Sequence, residues 1–488
     1  MKVEFRNRIY LSALLILLAL PLVWFSGTTW NSNSDALLPT LISIENWRFL
    51  FWSHSRFGTL VPLIAKPFTD MRSNLLFQNF IHAFSLIIFA YALSRIFFSR
   101  DKKDSSRSAT YLLLIFLFLD TNLAYLGHLI SGLPYAAPLG IFGLCILLAE
   151  SKISRKITYP ILVILLGISC WINPLNGYYL APLLLLLLFL KGFKGIRNEI
   201  LIAYSLVTFG IFFIVLGLAN GEISGTVAPN FRPFEVFNWW LSLFIIQVVL
   251  VARAVYRREF RINLGSYWGF ALTWISIFAL TSLRHIYLNL EAPRYFVTAT
   301  FVSMCLTMRL VEQLLNSSKK YQLAVAKIAG FLRINWLVPL AILLLLISNI
   351  FIARNLVSDY PLQQPQKKLL TSLFKSQKQE YKFASGDFWY TWPTKLYVAH
   401  PEDIFVTSFE TENQYDVSTD SRESIQARFK DGDLGLCFGD VKICTSQIKG
   451  AAYRAYGAFK VQVQTDQIKK ITDEPTTVHS LRVKITSK

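Results

Sequence analysis

Charge is scarce in this sequence. Of its 488 residues only 16% are Asp, Glu, Lys or Arg, against 53% hydrophobic, so a water-facing surface cannot be built over most of the chain. Cysteine is scarce too. There are five, with neither a second close Cys pair nor a nearby His cluster to complete four ligands, which argues against a zinc site. Internal repeats and low-complexity tracts are lacking beyond the Leu run at 183–190, which excludes a solenoid.

What is present is apolar. The chain holds 39 Phe and 12 Trp, and runs long enough to cross a bilayer as helices recur from the N-terminus to about Ile352. The fold class read from this is an α-helical polytopic membrane protein of about 11 transmembrane helices. They are placed near 9–27, 75–98, 109–126, 134–150, 157–172, 177–191, 199–218, 237–254, 264–282, 295–315 and 335–353. The first run has a basic start, Lys2, Arg6 and Arg8, but no small-residue cleavage site follows it, so it is expected to be retained as a helix. Alternate connections are short and basic: Arg100 to Arg107, Lys152 to Lys156, Lys191 to Arg197, Arg253 to Arg261, and Lys319 to Arg333. Such loops face the cytoplasm. The expected topology in the cell (inner or plasma) membrane therefore has the N-terminus cytoplasmic and the C-terminal tail outside.

The net charge of +19 raises nucleic acid as a partner, and its distribution removes it. From Leu356 onward 18 Lys plus Arg face 16 Asp plus Glu, so the excess sits in the membrane part as a positive-inside signature. No nucleic-acid partner is expected.

Three domains follow. Residues 1–354 form the transmembrane domain, including a first outer loop at 28–74; 355–379 are a polar, Pro-broken linker; 380–488 are a small extracytoplasmic α/β domain. In the last, "DIFVTSF", "FKVQVQT" and "SLRVKITS" read as strands, and "STDSRESIQARFKDG" as a capped helix. Asp387 is expected to cap a helix opening with the aromatics Phe388 to Trp392, which serve either as core or as a sugar-stacking surface. Cys145, Cys170 and Cys305 lie in spans and read as packing residues. Cys437 and Cys444 differ: a hairpin with a loop at Gly439 to Lys442 would set them opposite one another, as a disulfide in an oxidising compartment or as two buried thiols.

Chemistry is expected in the outward loops. The first carries Asp35, Glu45, Arg48, His54 and Arg56 among Trp30, Trp47 and Trp52. Its apolar content suggests amphipathic segments lying in the outer interface, in contact with membrane lipids. The second carries Asp120 at a span end and His128; a capping carboxylate and an interface histidine are the plainer readings. "CWINPLNGYYLAP" offers only turn residues, Asn173 and Asn176. The last, "SLRHIYLNLEAPRYF", gathers Arg284, His285, Glu291, Arg294 and Tyr295. A planar guanidinium at a lipid threshold matches a pair of phosphate oxygens, with Tyr as a second donor; alone, the same residues suit a snorkelling Arg and an aromatic belt.

Together, outer-face acids, an outer Pro293-Arg294-Tyr295 segment, interfacial helices and an extracytoplasmic C-terminal domain resemble the GT-C superfamily. These are polytopic glycosyltransferases that use polyprenyl-phosphate-linked sugars, and the resemblance is to a bacterial-type member. It implies Asp35, with Asp120 as the other candidate acid, in catalysis. It implies Arg294, Tyr295, Arg284 and Arg56 at the donor phosphate, supported by Glu291, His128, His285 and His54. Sugar would pass from a polyprenyl-phosphate donor to an extracytoplasmic glycan, lipid or protein acceptor. No cofactor is required by the spacing, although Asp35 and Asp120 can coordinate magnesium or manganese. The sequence departs from the pattern in two places: Asp35 is followed by Ala36 where many members have a second acid, and Trp239-Trp240 lacks the acidic and glycine residues of the oligosaccharyltransferase signature. Asparagine-linked transfer is accordingly not expected. Two alternatives stand: a non-catalytic envelope polysaccharide assembly protein, and a lipid or solute transporter, against which the charge-free span centres and the lack of inverted halves argue.

Overall fold

The computed structural model describes residues 34–45, 58–98, 135–149, 153–173, 363–375, 381–396, 404–407, 430–456, 460–472 and 476–486, with single positions elsewhere. The chain divides into two compact units. One comprises Met1–Val23, Phe80–Ile130 and Pro134–Ile350; the other comprises Trp24–Asn79, Ser131–Leu133 and Phe351–Lys488.

The helices are α1 (Ser34–Ile44), α2 (Leu60–Ala65), α3 (Met71–Phe98), α4 (Ala136–Ala149), α5 (Arg155–Ile172), α6 (Gln363–Lys375), α7 (Phe388–Thr391) and α8 (Val441–Tyr456). A 3₁₀ turn covers Trp392–Leu396. The strands are β1 (Phe383–Gly386), β2 (Phe405–Thr407), β3 (Leu434–Phe438), β4 (Lys460–Thr472) and β5 (Val478–Thr486).

The first unit holds α3 from Phe80 onward, α4 and α5, helices at the places expected for 75–98, 134–150 and 157–172. Within α3, Met71–Leu93 is long and apolar enough to cross a membrane. Helix α3 meets α4 through small residues: a Cβ at Gly140 would lie 2.4 Å from Ser85 Cβ, and one at Gly143 would lie 2.9 Å from the Phe89 backbone. Without side chains there, the helices approach closely, as membrane helices do when lipid supplies no hydrophobic drive between them. Phe89 stacks edge-on against Phe301, centroids 5.6 Å apart, and Ser169 Oγ donates to the Pro138 carbonyl across α5 and α4. Cys145, Cys170 and Cys305 are buried free thiols. The other expected spans lie outside the described residues, save for isolated helical positions between 245 and 310.

The second unit is built on a five-stranded mixed sheet of order β2-β1-β3-β5-β4. β1 runs parallel to β2 and β3, and β5 runs antiparallel to β3 and β4. Alternation along the strands sorts two cores. Ala384, Val406, Leu436, Phe438 and Val478 face one core. Phe383, Phe405, Cys437, Leu481 and Val483 face the other, against Cys444, Ile448, Ala451 and Ala452 of α8. Gly435 is required where β3 passes the Phe383 ring, 2.1 Å from where a Cβ would stand.

Two expectations change here. The segment read as a linker holds α6, because Leu369, Leu370 and Leu373 bury one helical face and Pro365 sits in the first turn, where no N–H is needed. The Cys437–Cys444 disulfide joins a strand to a helix, not two arms of a hairpin. Gly439, at φ +101°, ends β3, and the Asp440 carboxylate accepts the Lys442 N–H at 2.8 Å, starting α8. One α8 turn then returns Cys444 to within 5.8 Å (Cα–Cα) of Cys437. The helix read at "STDSRESIQARFKDG" lies outside the described residues except Gln426, which is helical, and the non-helical end.

Candidate functional site around the first loop

The first loop is the part of the expected site that the structure describes best. Its α1, SDALLPTLISI, carries Asp35 in the first turn, the end at which aligned peptide dipoles favour negative charge. Pro39 lies four residues on, so residue 39 supplies no N–H to the Asp35 carbonyl. Further along, Leu37, Leu38, Leu41 and Ile42 are buried. They do not lie in lipid as expected for this stretch. They join Leu369, Leu370 and Leu373 of α6, Tyr381, Trp392 and the sheet residues Ala384, Val406, Leu436 and Phe438 in one core. The apolar face of α1 is thus satisfied by protein, and α1 with α6 and α7 covers the sheet face opposite α8.

Two polar attachments hold the far end of α1. The Asn74 side-chain amide donates to Ser43 Oγ at 2.8 Å, and also to the carbonyls of Ala65 and Phe68 at 2.9 and 2.8 Å. Gln78 Nε2, one turn along α3, donates to Asn74 Oδ1 at 2.7 Å. Beside these, Lys395 of the 3₁₀ turn bonds the Glu45 carboxylate; the two side chains are 2% and 11% exposed, an ion pair removed from water. Trp47 Nε1 donates to the Thr59 carbonyl at 3.2 Å. Asp70 starts α3, its carboxylate accepting the Ser73 N–H at 2.8 Å. That bond, with the Ser73 hydroxyl, holds the Asp70 carboxyl below its usual range.

α2 and the turn after it differ from α1. Leu63, Ile64, Phe68 and Leu76 are exposed, beside the exposed Lys66 and Arg72. In the C-terminal part, the Asp387 carbonyl accepts N–H groups from Tyr390 and Thr391, which opens α7 as the sequence suggested. Trp392 is core. Burial, with the Asp387 charge adding to it, raises the Tyr390 phenol above its ordinary value and keeps it a neutral donor. Gln447 of α8 binds Gly386 reciprocally, accepting its N–H at 2.6 Å and donating to its carbonyl at 3.3 Å.

Of the residues expected in the site, Asp35 is placed in its backbone position on α1. Asp120, Arg294, Tyr295, Arg284, Arg56, Glu291, His128, His285 and His54 lie outside the described residues. Among the described residues no group of three or more His, Cys, Asp or Glu stands together to hold a metal. Sequence reasoning did not single out Lys395 or Asn74. Lys395 lies 350 positions from its partner, and a single sequence holds no signal for such a pair; Asn74 is a polar residue at the start of an apolar run, a position that reads as a span end.

No protein-family model matches the sequence, and no curated protein matches it. Solved structures do match in three dimensions. ArnT from Cupriavidus metallidurans, crystallised bound to undecaprenyl phosphate, superposes with a TM-score of 0.50 at 12% identity, covering 96% of this chain and 97% of its own. The Archaeoglobus fulgidus oligosaccharyltransferase with zinc and sulfate gives 0.40 at 14% identity over 91% of this chain and 70% of its own. AglB from Archaeoglobus fulgidus, with an inhibitory peptide and a dolichol-phosphate, gives 0.40 at 13% identity over 92% and 71%. The likeness is one of fold. The fold is shared with ArnT along nearly the whole length of both chains.

Proposed function

We propose that this protein is a membrane glycosyltransferase that moves a sugar from a polyprenyl-phosphate donor to an extracytoplasmic glycan, lipid or protein. The observation that carries the reading is the fold shared with ArnT, a structure holding undecaprenyl phosphate, over 96% of the chain. The outer Pro293-Arg294-Tyr295 segment and the acid of the first loop support it. About 11 spans, a cytoplasmic N-terminus and an outer C-terminal domain complete the proposal, and the buried Cys437–Cys444 disulfide suits that oxidising side. The exposed Leu63, Ile64, Phe68 and Leu76, flanked by Lys66 and Arg72, suit the lipid interface.

In the mechanism proposed, the acceptor hydroxyl displaces polyprenyl phosphate at the anomeric carbon. Asp35 takes the hydroxyl proton as the new bond forms. Arg294 and Tyr295, with Arg284 or Arg56, meet the phosphate where negative charge develops on the leaving group. Glu291 orients Arg294, and His54, His128 and His285 are supporting residues. Asp120 is the second acid. Asp35 and Asp120 are oxygen donors of the kind magnesium or manganese would take, and no step here depends on a metal.

Binding of a polyprenyl phosphate to the purified protein tests the donor half. Arg294→Gln should weaken it about tenfold or more, the scale of one charge-assisted bond to a phosphate. Equal binding by wild type and Arg294→Gln would remove Arg294 from the donor site.

A further inference from the structure

We infer that Glu45 and Lys395 are a positioning pair: through them the C-terminal domain fixes the register of α1 and hence the place of Asp35. The inference rests on the transfer reading above for what Asp35 does, but not for the pair itself.

The apolar seam of α1 is made of Leu37, Leu38, Leu41 and Ile42 against Trp392, Leu369, Leu370 and Leu373. Burial of this kind is non-directional. Such packing selects one offset along the helix axis only weakly, because Leu and Ile substitute for one another in the same holes at small cost. A slip of one helical turn would carry Asp35 about 5.4 Å. Misplacement of a reacting group by about 1 Å already costs about 100-fold in rate. Something directional is needed at α1.

Glu45 supplies it. It directly follows α1 and meets Lys395 with both side chains nearly out of water. A buried ion pair is a poor source of stability, since desolvation offsets its attraction, and fixing one register is its best-attested use. Any other register of α1 would part Glu45 from Lys395 while both stay largely out of water. The Ser43–Asn74 bond lies two residues away and ties the same helix end to α3. The N-terminal end of α1, about 15 Å from Glu45 at 1.5 Å per residue, is the end that bears Asp35. The domain at 380–488 is on this account part of the transfer machinery and not only a surface for selecting acceptors.

The test uses the full-length protein in lipid, with four forms compared: wild type, Lys395→Met, the neutral double variant Glu45→Met with Lys395→Met, and the swap Glu45→Lys with Lys395→Glu. Transfer kinetics and hydrogen exchange of residues 34–44 are read for each. The double variant keeps the seam, so it should fold with exchange protection near that of wild type while kcat falls about tenfold or more and the donor KM stays unchanged. The swap should restore kcat above the double variant. A double variant with wild-type kcat would overturn the positioning role, as would a swap no better than the double variant. Lys395→Met should raise exchange across α1, and unchanged exchange there would overturn the role whether or not transfer is seen. Wild type that transfers no sugar from any polyprenyl-phosphate donor would sink the transfer reading alone, leaving exchange to judge the pair.

Discussion

Asn74 and Ser43, 31 residues apart, are joined by a 2.8 Å hydrogen bond that ties α1 to the first turns of α3. The same amide group also closes the connection between them by donating to Ala65 and Phe68. One side chain therefore sets the path of the loop from α1 through α2 into α3. Asn74→Ala leaves buried acceptors without their donor and should destabilise the protein by about 1–3 kcal/mol. Asn74→Asp, which has no amide to donate, should be at least as costly. Thermal unfolding in detergent reads both, and an Asn74→Ala midpoint equal to wild type would mean the network carries no weight.

Gly386 and Gly439 both have positive φ, 116° and 101°, but they should respond differently to alanine. At Gly386 a Cβ would stand 2.0 Å from the Phe438 carbonyl oxygen, backbone that cannot yield, and the Gln447 attachment would be disturbed with it. At Gly439 there is open space. Gly439→Ala should cost about 1–2 kcal/mol, the strain of the left-handed region alone. Gly386→Ala should cost clearly more and prevent β1 from pairing with β3. Equal losses in a denaturation series would contradict the close approach at Phe438.

The Cys437–Cys444 bridge spans seven positions and locks the start of α8 to the end of β3. Closing so short a loop is worth about 2–3 kcal/mol in the chain-entropy account. Cys437→Ser with Cys444→Ser should lower stability by about that amount and loosen α8 locally. Because both sulfurs are buried, a thiol reagent should label neither until the protein is reduced and unfolded. Labelling of native, unreduced protein at either position would contradict the bridge.

Acid should weaken the start of α3. The Asp70 carboxyl is held below its ordinary value by the Ser73 bonds, so its contribution is present above the unfolded value near 3.8 and is lost as pH falls through the lower folded one. The side chain is exposed, so the effect is that of one surface cap. Asp70→Ala should cost about 1 kcal/mol at neutral pH. The difference from wild type should hold down to the unfolded value near 3.8 and shrink as pH falls below it, and a difference that already disappears well above 3.8 would place the effect elsewhere than the carboxylate.

The membrane helices were the easier part of the fold to read. α3, α4 and α5 fall on predominantly apolar runs, the pattern that crossing a bilayer demands, although only α3 holds a described segment long and apolar enough to do so. β2, β4 and β5 showed themselves by alternation. α6 hid because its buried Leu369, Leu370 and Leu373 follow a start rich in Gln, Lys and Pro, the composition of a linker. The segment after Cys437 was ambiguous for a chemical reason: Gly-Asp serves equally as a hairpin turn and as the residues that end a strand and cap a helix. The docking of α1 on the sheet was not legible at all. An apolar face reads the same whether lipid or protein covers it, and apart from Met71 and Leu75 the residues that Leu37 and Leu41 join in one core outside α1 lie more than 300 positions along the chain.

The central claim is that the chain transfers sugar with Asp35 as base. Wild type and Asp35→Asn should be compared for turnover of a panel of labelled polyprenyl-phosphate sugars, with binding of the polyprenyl phosphate measured on the same samples. The account predicts transfer by wild type from at least one donor, a loss of about 100-fold or more in Asp35→Asn, the range for a general base, and equal lipid binding by the two. Equal turnover by the two proteins would contradict the role of Asp35, and lipid binding without turnover of any donor by wild type would contradict the claim of catalysis.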